Sequence, residues 1–152
     1  MPLEQTKKLM TARLVDSLYT EAMVLADEAR SYFDEIGRAD RDGLAPIDRV
    51  AFSCESLKVT TRLMHVIAWL LTRKAVAAGE IPERAATHES RRLGQAAGSD
   101  AAAIAALPPA AREIAAGSID LYDRVSRIDQ EMIEPEPDSP ALDLIRRLEQ
   151  AL

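Results

Sequence analysis

The stretch IDRVAFSCESLKVTTRLMHVIAWLLTRKAVAA, residues 47 to 78, decides the fold. Pro46 stands where a proline suits the first helical turn, and Gly79 stands where a helix stops. Between them the apolar residues recur with helical spacing on more than one line. Val50, Leu57, Met64 and Leu71 form one line, Leu63 and Leu70 the next, and Phe52, Val59 and Val66 a third. Together they widen the apolar face to about half of the circumference, more than one neighbouring helix would cover. The spacing therefore predicts a long central helix that touches other elements on more than one side.

Upstream, Thr6 to Ile36 carries the same period. Val15, Ala22, Ala29 and Ile36 recur every seven residues, interleaved with Leu18, Leu25, Tyr32 and with Tyr19, Ala26, Phe33, one stripe about 100° wide. Gly37 is read as the glycine cap that ends this first helix, and RADRDGLAP after it as a polar loop. Downstream, Pro108 and Pro109 open a third long helix in which Ile114, Leu121, Tyr122, Val125, Ile128 and Met132 keep helical spacing to about Ile133. Glu83 to Gln95 is weakly amphipathic, and Gly98 with Ser99 breaks the pattern before DAAAIAALPP. The expected fold is all-α: an antiparallel bundle of three long helices with a short broken helical region and a C-terminal tail.

That tail is expected to be a separate unit. Residues 1–133 form the bundle domain, and 134–152 an acidic, proline-rich linker followed by a short amphipathic helix. Prolines at 135, 137 and 140 stand among acids, and ALDLIRRLEQAL then places Leu142, Ile145, Leu148 and Leu152 on one side. A helix of that length is marginal alone in water, so it calls for a partner surface, expected to be another protein, with permanent docking on its own bundle as the alternative.

Composition narrows the function. The chain has 152 residues, 47% of them hydrophobic, which is ordinary for one globular domain. Lys plus Arg number 19 against 25 Asp plus Glu, a formal charge of −6, so there is no basic excess to release counterions from a polyanion. Nucleic-acid binding is not expected. The charged amino terminus does not read as a secretory signal, and the longest apolar run, Val66 to Leu71, falls far short of the roughly 20 residues of a membrane span. A cytoplasmic protein without membrane contact is the expectation.

The search for chemistry is negative. Cys54 is the sole cysteine, and it stands about 16 Å along the helix from His65, too far for a nucleophile and its base. It reads as a small buried apolar residue. Glu21, Glu28 and Glu35 flank the first apolar stripe but lack the Glu-x-x-His partners of a carboxylate-bridged metal bundle, so they read as a solvated border pairing with basic residues on a neighbour. No catalytic residue, metal site or cofactor is expected. The oddity lies on the central helix, where His65 and Trp69 share a face with Glu55, Lys58, Arg62 and Thr72. Tryptophan beside arginine is the composition of an interface hot spot, and equally that of a tryptophan with a snorkelling arginine lying under a loop. With the apolar Phe52, Val59 and Val66, that face is the expected homodimer surface, and Leu142, Ile145 and Leu148 are the expected docking edge of the tail.

The run ESLKVTTRLMHVIAWLLTRKAVAAGEI, residues 55 to 81, resembles the central helix of the family named for the regulator of CtrA degradation, RcdA. SIDLYDRVSRIDQEM, residues 118 to 132, resembles the same family's last long helix. The resemblance implies a helical bundle, usually dimeric, that acts without catalysis as an adaptor, bringing substrates such as a cell-cycle transcription regulator to the ClpXP protease. The rival reading is a small-molecule sensor or enzyme with a pocket between helices.

Overall fold

A computed structural model describes residues 2–133 and 140–151. Regular structure among the described residues is entirely helical: α1 (Pro2–Ser31), α2 (Arg38–Asp42), α3 (Pro46–Ala77), α4 (Glu83–Ala86), α5 (Ala101–Ala105), α6 (Pro109–Ile133) and α7 (Pro140–Ala151), with a π-helical turn at Tyr32–Ile36 and a 3₁₀ turn at Glu89–Arg91. Three of these helices are long, as the periodicity requires. The linker expected over 134–139 lies outside the described residues.

The glycines act differently from one another. Gly79 has φ of 76°, the left-handed conformation that ends α3 without a steric cost. Gly37 has φ of −80° and is not a left-handed cap. It is required by close approach, because a Cβ there would fall 2.7 Å from the Tyr32 carbonyl oxygen and 2.9 Å from the Tyr32 ring. The expected loop after it folds into α2, and the Tyr32 hydroxyl donates to Asp40 Oδ2 at 2.7 Å to hold that corner. Burial and the Asp40 carboxylate both push the Tyr32 phenol well above its ordinary range.

Helix directions follow from the paired residues. Asp16 of α1 meets Lys74 near the end of α3 at 3.2 Å, whereas the Phe33 ring lies edge-on to Phe52 near its start, 5.4 Å between centroids. α1 and α3 are therefore antiparallel. Arg124 of α6 pairs with Glu21 of α1, and Gly117 of α6 faces Leu25, so α6 also runs against α1. Arg62 pairs with Ser118 and Trp69 with Asp129, positions that advance together, so α3 and α6 run parallel. The bundle is antiparallel only in the pairs that include α1. The reason is the crossover at 78–108, which carries the chain back along the molecule; nine extended residues alone can span about 30 Å.

The core sits among the three long helices. Val15, Leu18 and Ala22 of α1 meet Val59, Val66 and Leu70 of α3 and Ile114, Leu121 and Val125 of α6, all buried. Leu70 and Leu121 are completely enclosed. Each such leucine contributes about 1.5–3 kcal/mol relative to an exposed one. No helix among the described residues is long and apolar enough to cross a membrane.

Candidate functional site

At 100° per residue, α3 presents four sides. Phe52, Val59 and Val66 point into the core. Arg62, His65 and Trp69 face α6, and the opposite flank, with Leu63 and Ile67, faces α1. The back of the helix carries Val50, Leu57, Met64 and Leu71.

The α6 side, expected either as an open interface or as lying under a loop, is covered. Residues 92–100 form an irregular strap along the groove between α3 and α6. Arg92 at one end pairs with Asp129 at 3.1 Å, and the Tyr122 hydroxyl donates to the Gly94 carbonyl at 2.7 Å while accepting from the Ala96 amide at 3.3 Å. Gly94 lies so close to the His65 ring that a Cβ would come within 2.2 Å of Nδ1. Further along, Arg62 donates to the Ala97 carbonyl at 3.2 Å, to Ser99 Oγ, and to Ser118 Oγ of α6 at 3.3 Å. Ser99 Oγ in turn donates to Glu55, whose second oxygen is 3.3 Å from Lys58 Nζ.

These contacts correct the expected homodimer surface. Phe52, Val59, Arg62, Val66 and Trp69 are buried within a single chain and His65 is half-buried, so they are not an outer face. Arg62 is 2% and Glu55 3% exposed. Such burial is tolerable because each charge has hydrogen-bonded partners. Burial pulls the Arg62 guanidinium below its ordinary range, against the opposing pull of Glu55 and Asp123. The Trp69 indole, which suggested a hot spot, donates to Asp129 Oδ1 at 2.9 Å. Tryptophan and arginine here lock the crossover to the bundle.

The back of α3 has the opposite character. Ile47, Val50, Leu57, Met64 and Leu71 are exposed, Leu57 at 68% and Met64 at 65%. With Cys54, Thr61 and Ala68 they alternate at spacings of three and four, the seam of a helix that packs lengthwise on another. Cys54 is exposed on this seam, not buried as its apolar neighbours suggested. Thr61 turns its hydroxyl back to the Leu57 carbonyl at 3.0 Å, which leaves its methyl group outward. No charged residue occupies any of the eight seam positions.

The seam borders a groove between α1 and α3. Ala26, Ala29 and Phe33 line one wall, Leu63, Met64 and Ile67 the other, around a space of about 340 Å³, with Arg30 and Asp34 also lining it. On the tail, Ile145 and Leu148 are exposed along with Leu144. The Leu142 side chain lies outside the described residues. Glu21, read as a border residue, pairs with Arg124 across α1 and α6, which raises the arginine further. Among the described residues no three His, Cys, Asp or Glu side chains gather as a metal site requires.

The missed features share a cause. Residues 82–107 have neither the helical nor the strand period, so their position could not be read from pattern. The available signal was a run of small residues, GQAAGS, at 94–99, able to lie flat in a narrow groove.

Comparison with known proteins agrees with this architecture. Residues 6–152 match the family described as "Protein of unknown function (DUF1465)". The crystal structure of RcdA from Caulobacter crescentus CB15 is 34% identical, with a TM-score of 0.67, covering 80% of this chain and 93% of that one. No curated protein matches. By sequence and by fold, the chain belongs to the DUF1465 family, which is the RcdA family.

Proposed function

We propose that this protein is a non-enzymatic adaptor in regulated proteolysis, one that delivers substrate such as a cell-cycle transcription regulator to the ClpXP protease. The observation that carries the reading is the uncharged, exposed seam on α3, in a chain that belongs to the RcdA family. Contiguous apolar surface of this kind marks a protein contact. A second copy meeting it on a twofold axis would bury it isologously, so the proposed homodimer uses Val50, Leu57, Met64 and Leu71 in place of the enclosed Phe52–Trp69 face. The tail, with Ile145 and Leu148, is a further contact element, and the site of action is the cytoplasm.

The test is affinity capture from a lysate of the source cell, with the wild-type chain beside Leu57→Asp/Met64→Asp. Recovery of the protease subunits and a response regulator by the wild-type chain, lost in the variant, supports the adaptor. A co-purifying metabolite without those proteins favours a sensor with a pocket between helices. Light scattering on the same pair reads the dimer directly: a dimer for the wild type and a folded monomer for the variant.

A further inference from the structure

The seam on the back of α3 is made of two unlike rows. One carries the large residues Val50, Leu57, Met64 and Leu71, and the other carries the small residues Cys54, Thr61 and Ala68, with Ile47 at its start. All eight side chains are exposed. We propose that a second copy lays its α3 on this seam antiparallel, in the register that sets Leu57 on the partner's Thr61 and Cys54 on the partner's Met64. The proposal rests on the homodimer read above and adds its direction and its register.

The first argument is size. In a parallel pair each row meets itself, so the large residues crowd one layer while Cys54, Thr61 and Ala68 leave gaps in the next. Close packing at uniform density favours large against small across a contact. An antiparallel pair provides this, because each row then faces the other. Leu57 falls on Thr61, Met64 on Cys54 and Val50 on Ala68, each a large residue on a small one. The twofold axis passes level with Val59, and every contact occurs twice, as an isologous interface requires. Ile47 and Leu71, both large, meet only in the outermost layers, where axes crossing at about 20° have diverged.

The second argument is extent. Sliding one helix by a heptad in either direction strips partners from Ile47 and Val50 or from Ala68 and Leu71. The register centred on Val59 covers all eight residues, about 36 Å of helix from Ile47 to Leu71. The third is polarity. Thr61 already donates its hydroxyl to the Leu57 carbonyl at 3.0 Å, and Lys58, beside the seam, is drawn to Glu55 of its own chain at 3.3 Å. Cys54 behaves as a small apolar residue. Covering the seam therefore buries no side chain that needs a new polar partner.

The test oxidises the full-length chain and reads disulfide-linked dimers on non-reducing gels, with the native Cys54 as reporter. Met64→Cys, at an exposed position, is expected to link to the partner's Cys54, because facing positions bring the two Cα atoms within the roughly 7 Å that a disulfide spans. The wild-type chain should stay unlinked, since its two Cys54 residues stand about 15 Å apart along the helices. Leu71→Cys should stay unlinked as well. Linkage of the wild type means a parallel pair and overturns the proposal. Linkage of Leu71→Cys in place of Met64→Cys means a register slid by one heptad and also overturns it. Ala68→Leu sets a large residue against the partner's Val50 and should raise the dimer dissociation constant at least tenfold; an unchanged constant overturns the size argument and the register with it. Light scattering separates this proposal from the reading it rests on. A dimer in which Met64→Cys fails to link removes the register and leaves the homodimer, and a monomeric wild type removes both.

Discussion

The α6 side and the back of α3 differ in a way that reverses the ordinary expectation. Toward α6 the helix presents Glu55, Arg62 and the Trp69 indole, all buried, and toward solvent it presents Val50, Leu57, Met64 and Leu71, all exposed. Charged residues lie inside and aliphatic residues outside because each side answers to a different neighbour. The inner polar groups face the strap, whose backbone carbonyls and hydroxyls need partners once they leave water. Among the described residues, the outer aliphatic side chains stay exposed, with Met64 at the edge of the α1/α3 groove. Polarity on one face of a helix therefore reports what that face must satisfy, and solvent is only one of the candidates.

The most severe way to break this contrast is Arg62→Ala. It leaves Glu55 buried with Lys58 as its remaining cationic partner and removes the hydrogen bonds to Ala97, Ser99 and Ser118. A loss of about 3–5 kcal/mol is expected in urea unfolding, as for a broken buried pair. A change below about 1 kcal/mol would mean that the strap is held by something else.

Gly94→Ala should come next. The added methyl group meets the His65 ring, so either the ring or the strap must shift, at a cost of about 1–3 kcal/mol. Hydrogen exchange should locate the loosening at residues 92–100, with the α1 core unchanged. Trp69→Phe keeps most of the apolar volume but leaves Asp129 without the indole donor, and a loss of about 1–2 kcal/mol in thermal or urea melts is expected.

The smallest expected effect on stability sharpens the contrast from the other side. Leu57→Ser with Met64→Ser, two large apolar residues replaced at exposed positions, should change the stability of the monomer by no more than about 0.5 kcal/mol per site. The same pair should weaken self-association measured by light scattering. A large drop in the melting temperature of dilute protein would place these residues in a core.

Much of the fold was legible because three long segments keep a helical period and are bounded by proline and glycine. The α1 stripe through Val15, Ala22 and Ala29 is buried where it was expected, and α3 ends at its glycine. The exposed apolar surface was less legible. Helical spacing identified every apolar line on α3, yet the lines through Val59 and through Leu57 have the same period and similar hydrophobicity. Nothing local tells which of them is enclosed.

What the sequence determined by itself is the all-helical class, the three long helices and the family, since these depend on short-range period, turn chemistry and specific runs of residues. Tertiary structure alone decided the parallel course of α3 and α6, the burial of Arg62 and Trp69, and the exposure of Leu57 and Met64. The physical reason is the crossover at 78–108. It has no period of its own, so its place is set by long-range contacts with His65, Arg62, Tyr122 and Asp129, and only its arrival in that groove makes one face of α3 the inside and leaves the other bare.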